Sequence, residues 1–328
     1  CFYAFMLLCF YAFMLLCFMH EALYYLHTAC FCEVPRVTVI DQRRFLTMGI
    51  IIGIDIGGST TKIVGFENNN LKIPTFVKAN NPIASLFGAF GKFIYDNAIQ
   101  LSDIEKIMIT GVGSANVEQP LYGIPTFKVD EFTSNGLGGR YFTGMNDLIV
   151  VSMGTGTSFV QVNGDKIVHT GGIGIGGGTI IGLSSLLLKT QEISKIMELA
   201  SGGDLSHVDL QICDISKEAL PGLPLTATAS NFGKVRSQVS EEDIAIGLIN
   251  MVLQAIGKSA ILSSLNSEIN NFVMIGNLAK FPQCKDIFCS LETMFDVHFI
   301  IPEQAEYGTA IGAALTESHH ANMSQILL

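Results

Sequence analysis

From residue 48 onward, apolar positions alternate between runs that suit strands and spacings of three and four that suit helices. Ile50 to Asp55 is a nearly continuous apolar run, as a strand covered on both faces would be, and Thr60 to Glu67 reads as its β-branched partner across a glycine turn. After Pro82, Ile83, Leu86, Phe87, Phe90 and Ile94 recur at helical spacing, and residues 106–110 form another buried strand, a β-β-β-α-β order. The pattern restarts at Leu148: an apolar run to Ser152, a Gly/Thr turn, and a returning strand over 158–162. With an offset of 97, Ser152 falls on Asp55, Gly154 on Gly57 and Thr157 on Thr60, so two equivalent halves are expected, their turns facing each other across a cleft. The remainder is mainly helical, over 180–189, 192–200 and 241–264, with strands at 271–275 and 297–301. A closing small-residue helix at 307–315 suits close packing on a neighbouring element.

Residues 1–16 break this order, being the octapeptide CFYAFMLL twice over. The uncharged run from Cys1 to Met19 reaches membrane-spanning length. It has no basic flank, and Met48-Gly49 directly precedes the first strand. Residues 1–47 are expected to be a gene-model or read-through extension, with a membrane anchor as the alternative. The expected organisation is then a first lobe over 48–146 and a second over 147–328, with 307–315 packing back between them.

The chain has 328 residues, of which 49% are apolar, with 19 basic and 29 acidic side chains. The net charge of −10 repels a polyanion, so nucleic-acid binding is disfavoured and small-molecule chemistry expected. Only Cys213, Cys284 and Cys289 lie in the body, which is no disulfide framework or zinc spacing and fits a reducing cytoplasm.

Three glycine turns could converge backbone N–H groups on an oxyanion: residues 55–62, 154–158 and 171–179, the last opening a helix. None has P-loop spacing. Gly172-x-Gly174-x-x-Gly177 matches the dinucleotide fingerprint, but it follows a hairpin instead of the first strand of a βαβ unit. Asp55 ends a buried strand beside the first turn, where a carboxylate needs a cation or donors, and a magnesium-bound nucleotide would supply one. Lys62 either neutralises phosphate or is solvated.

The first turn (Asp55, Gly57, Gly58, Ser59, Thr60, Lys62), the second (Ser152, Gly154, Thr155, Gly156, Thr157) and the glycine-rich helix start resemble the actin-like superfamily of sugar kinases and ATPases. Residues 152–158, 171–183 and 228–233 are closest to the type II pantothenate kinases. The resemblance spans residues 48 to about 315. It implies an α/β, duplicated actin-like ATPase (ribonuclease H-like) fold, ATP and Mg²⁺ as cofactors, a cytoplasmic homodimer built on the 241–264 helix, and pantothenate as phosphoryl acceptor. It places the general base at Glu131 and not Asp130, and the metal on Asp55 through water. It also gives the phosphates to both turns with Gly176, Gly177, Gly178 and Gly276, and the substrate to Ser152, Gly171, Gly172 and His169, which stands where relatives often carry arginine. Arg140 either substitutes for that arginine or is solvated. The competing readings are an N-acetylhexosamine-type kinase, an ATPase activator of a radical dehydratase, and a nucleotide-binding sensor without turnover.

Overall fold

The computed structural model describes residues 49–58, 60–78, 81–218, 222–236 and 238–316, and the backbone of 323–325. The octapeptide repeat, the expected start at Met48 and Ser59 lie outside the described residues. The first half runs β1 (Ile50–Ile56), β2 (Thr60–Glu67), β3 (Asn70–Leu71), β4 (Thr75–Lys78), α1 (Pro82–Asp96), β5 (Ile104–Thr110), β6 (Thr126–Val129) and α2 (Glu131–Thr143). Helix α1 starts where Asn81 caps it, the Oδ1 accepting from Ala84 N–H at 3.0 Å with Pro82 at the first position. Its Leu86, Phe90 and Phe93 then close one face of β1 over Ile52, Ile54 and Ile56.

The second half runs β7 (Asp147–Met153), β8 (Thr157–Asn163), β9 (Lys166–Ile173), α3 (Gly177–Leu187), α4 (Ile193–Ser201), β10 (Leu210–Gln211), α5 (Ile212–Ile215), β11 (Thr228–Ser230), α6 (Glu241–Ser263), β12 (Asn271–Ile275), α7 (Gln283–Phe295) and β13 (His298–Ile300). The small-residue helix α8 (Gly308–Leu315) and the strand β14 (Met323–Gln325) follow as the last of the described elements. The two large sheets have orders β14-β6-β5-β1-β2-β3, with β4 also on β2, and β13-β12-β7-β8-β9. In each, the leading strand carries an antiparallel hairpin partner on one side and a parallel strand on the other: β2 and β5 on β1, β8 and β12 on β7. The same half has been built twice.

The repeat differs at its turns. Ile56 pairs with Thr61, but Met153 pairs with Thr157, so the second turn is one residue shorter. Thr157 therefore corresponds to Thr61, and not to Thr60 as the offset predicts, and Ser158 to Lys62. Register is closed by the turn, and one residue less there shifts the whole returning strand.

Helix α8 joins the halves at van der Waals distance. A Cβ on Gly53 of β1 would lie 2.1 Å from Ala310 O, and one on Gly312 only 1.7 Å from Ser134 O in α2. At this crossing the backbones themselves touch, and Thr309 Oγ1 donates to Asn135 Oδ1 at 2.7 Å. The long α6 packs one side into the core of the second half. Leu248, Ile249, Val252, Leu253 and Ile256 are buried in the main hydrophobic cluster with residues of α4 and α7. It is long and apolar enough to cross a membrane, and that burial accounts for its composition.

Candidate active site

The carboxyl ends of β1 and β7 open on one cleft of about 410 Å³. Gly57 N–H donates to Thr60 O and Gly154 N–H to Gly156 O, both at 2.9 Å, so each turn is closed by its own backbone. Gly57, Gly58 and Thr60 line the cleft from one half, and Gly154, Thr155, Gly156 and Thr157 from the other. Ser152 and Gly172 join them, side by side through Ser158, which pairs with both.

Asp55 and Lys62 are cross-strand neighbours at the cleft wall. Lys62 Nζ donates to Asp55 Oδ2 at 3.0 Å, with both residues 6% exposed. Of the two expectations for Lys62, the solvated one does not hold: burial gives its ammonium a carboxylate partner. Asp55 is one hard oxygen donor facing the phosphate turns, which suits magnesium, an ion that takes one or two carboxylates and completes its shell with phosphate and water.

Glu131 and Asp130 diverge at the start of α2. Asp130 is the N-cap, its Oδ2 accepting from Thr133 N–H at 2.7 Å at the surface. Glu131, the first helical residue, lines the cleft. Burial first, then the neighbouring Asp55 charge, raise its pKa, while Lys62 lowers it. A carboxyl so placed holds a proton more readily than a free one, as suits a general base.

The remaining sequence candidates sit elsewhere. Gly171, Gly172 and Ile173 belong to β9 and not to a turn. Gly177 N–H donates to Gly154 O at 2.8 Å, Gly178 N–H to Thr155 O at 2.9 Å, and Gly176 N–H to Thr179 Oγ1 at 3.1 Å. These three amides are thus already partnered within the protein, which corrects their reading as a phosphate cradle. They buttress the second turn, and a Cβ on Gly176 would lie 2.6 Å from Thr155 O. His169 stacks on Phe132 with ring centroids 3.7 Å apart, next to a bulge in β9 at Thr170. It reaches the cleft only through that ring, because Phe132 lines the cleft. Arg140 lies nine residues along α2 from Glu131, about 13 Å by helical rise. Its guanidinium donates to Gly164 O at 3.1 Å and Asn146 Oδ1 at 3.3 Å, so Arg140 ties α2 to the β8–β9 turn and is not a substrate ligand.

Sequence reading missed Gly111, Val112, Phe132, Asn277 and Thr309, all of which line the cleft. Gly111 and Gly276 end the parallel strands β5 and β12, with φ of 86° and 94°. A glycine directly after a buried apolar run is the signal that could have found Gly111. Among the described residues no cluster of three metal-ligating side chains occurs.

Two opposed backbone turns, a buried carboxylate–ammonium pair and a carboxyl of raised pKa can hold phosphates and take a proton from an incoming nucleophile. Residues 144–284 match the Fumble family model. The chain is 30% identical over 274 residues to a type II pantothenate kinase of Bacillus cereus, covering 80% of this chain and 97% of that one. Its fold is similar to the activator of the 2-hydroxyisocaproyl-CoA dehydratase of Clostridium difficile with bound ADPNP (TM-score 0.59, 16% identity, 84% and 99% of the two chains). It is likewise similar to a ROK family glucokinase of Streptomyces griseus in complex with glucose and AMPPNP (0.53, 12%, 81% and 98%). Both share the two-lobed architecture, and the 30% identity to the Bacillus enzyme over 80% of this chain makes this chain a member of the type II pantothenate kinases.

Proposed function

We propose that this cleft is where ATP and pantothenate meet, and that Glu131 takes the proton of the acceptor's primary hydroxyl as that oxygen attacks the γ-phosphorus. The reaction of the family, ATP-dependent phosphorylation of pantothenate to 4′-phosphopantothenate, opens coenzyme A biosynthesis. The observation that carries the assignment is the divergence of the two neighbouring carboxylates: Asp130 is engaged as a helix cap, while Glu131 faces the turns with its pKa raised.

Those amides of the 57–60 and 154–157 turns that are not spent on closing the turns hold the phosphates, and the second turn keeps its shape because α3 begins by donating Gly177 and Gly178 N–H to it. Asp55 would hold Mg²⁺, which when bound would supply charge neutralisation for the transferring phosphoryl group. Lys62 holds the Asp55 carboxylate in place through their ion pair. Asp55 is therefore the metal's carboxylate and Glu131 the base, a division that gives each one duty. A homodimer in the cytoplasm is part of the reading, and sedimentation at micromolar concentration tests the assembly.

The radical-dehydratase activator shares the fold, but its chemistry needs cluster thiolates. Of the three described cysteines, Cys284 is buried, its pKa pushed up to about 12 by that burial, and its Sγ contacts Leu278 O at 3.1 Å. Such a thiol is inert. A substrate panel tests the function: purified chain with ATP and magnesium, offered pantothenate, a glucosamine derivative or no acceptor. Pantothenate-dependent ADP release supports it, and turnover without an acceptor or with the amino sugar alone overturns it.

A further inference from the structure

The duplicated scaffold delivers one residue to each side of the cleft by the same device. Gly111 and Gly276 hold left-handed backbone at the ends of β5 and β12. Each is pressed against its leading strand, where a Cβ would stand 2.6 Å from Ile56 O or 2.5 Å from Met153 O. The following residue is thereby fixed at the cleft wall. It is Val112 in the first half and Asn277 in the second. The backbone explains why a side chain stands there, and the chemistry must explain why one of them is an amide.

Asn277 reaches across to the opposite half. Its Nδ2 lies 3.5 Å from Thr60 Oγ1 in the first phosphate turn, at the long limit of a hydrogen bond. Its Oδ1 is sealed from solvent and has no hydrogen-bond partner. An orphaned buried carbonyl is destabilising, and an aliphatic residue such as the Val112 of the other half would avoid it. The amide is thus retained for its donor end, which faces a cleft whose expected occupant carries oxygens that only accept. Thr60 holds one N–H loosely and leaves the other free.

On the reading of the cleft as a nucleotide site, we infer that Asn277 is a nucleotide-contacting residue, its N–H₂ donating to an oxygen of the β- or γ-phosphoryl group of ATP, which AMP lacks, while Thr60 keys it to the first turn. One side chain of the second half then meets the ligand and the opposing turn together, so phosphate binding and approach of the halves are coupled. A donor to a charged oxygen is the stronger class of hydrogen bond, and its loss should weaken ATP by about tenfold.

The test is calorimetric titration of the full chain with ATP and with AMP, using Asn277→Ala, Asn277→Asp and Thr60→Val, each first checked by circular dichroism. Asn277→Asp preserves shape and can accept from the Thr60 hydroxyl, so it keeps the bridge and removes the donor. ATP affinity should fall about tenfold in Asn277→Ala and further in Asn277→Asp, where a carboxylate faces the phosphates, while AMP changes by no more than about twofold. Thr60→Val should give a smaller loss, recovered in Thr60→Ser. Equal weakening of ATP and AMP, or Asn277→Asp binding ATP like the wild type, overturns the inference in favour of a bridge between the halves alone. Asp55→Asn in the same series separates the two readings. If it weakens magnesium–ATP while the Asn277 variants do not, the cleft stands and the role of Asn277 falls; if wild-type chain binds no ATP, the cleft reading falls first.

Discussion

Lys62 Nζ lies 3.0 Å from Asp55 Oδ2, and the two residues face each other directly in the β1–β2 register. A pair this buried binds its partners asymmetrically in energy: removing one member strands the other's charge, whereas replacing both by neutral groups need not. Lys62→Met should therefore destabilise the fold by roughly 3 kcal/mol, the low end for buried pairs because cleft water reaches Asp55. Asp55→Asn combined with Lys62→Met should regain most of that stability and remain without ATP turnover. Urea unfolding of the single and double variants measures it, and a double variant no more stable than Lys62→Met would show that the pair's charge is not the cause.

Gly154 and Gly276 separate ligand approach from backbone need. A Cβ on Gly154 meets nothing closer than Gly156 O at 3.8 Å. Gly154→Ala should unfold at the wild-type temperature and still bind ATP several-fold more weakly, because the new methyl group stands where phosphate approaches. Gly276 has φ of 94° and no room beside Met153, so Gly276→Ala should lower stability itself by at least about 1–3 kcal/mol. Thermal unfolding and ATP titration of both variants check this; unchanged ATP affinity in Gly154→Ala would make the second turn purely structural.

The contrast shows what the sequence carries. Strand placement was legible because β1 and β7 are apolar runs ended by glycine, and the offset of 97 between them holds for the outgoing strands. The return register was not, since it depends on a turn one residue shorter that no local pattern marks. Gly176, Gly177 and Gly178 read as a phosphate cradle because glycine serves close approach to anything, and here the neighbour is the protein's own second turn. Asn277 gives no signal by itself: its meaning comes from Thr60, 217 residues away. The apolar richness of α6 marks burial, and whether a helix is buried by its own chain or by a partner is invisible to periodicity.

Arg140 bonds Gly164 and Asn146 and pairs with the exposed Asp165, so Arg140→Ala should leave the KM for pantothenate within about twofold and lower stability slightly through the lost hydrogen bonds. His169→Ala removes a ring stacked on Phe132, beside the base, and should raise KM for the acceptor more than it lowers kcat. Steady-state kinetics with pantothenate varied at saturating ATP decides both. A tenfold KM effect in Arg140→Ala would return that arginine to the substrate site.

Glu131 supplies the sharpest test. If it is the base, Glu131→Gln should lose at least about a hundredfold in turnover while binding ATP normally. Asp130→Asn should be nearly silent, since asparagine caps a helix as well as aspartate, whereas Asp130→Ala should cost about 1 kcal/mol of stability with the chemistry intact. The raised pKa of Glu131 sets the pH dependence. The ionised form is the active one, so kcat/KM should fall as pH drops through a value above the ordinary carboxylate range. Stability runs the other way. The folded state binds this proton more tightly than the unfolded chain, so between the unfolded and folded pKa values stability declines as pH rises, and at neutral pH the ionised carboxylate opposes folding. Glu131→Gln should accordingly unfold at a temperature equal to or above the wild type at pH 7, with the advantage vanishing below the ordinary carboxylate pKa. An inactive Glu131→Gln that is also markedly less stable at pH 7 would mean the carboxylate holds the structure together instead of taking the proton.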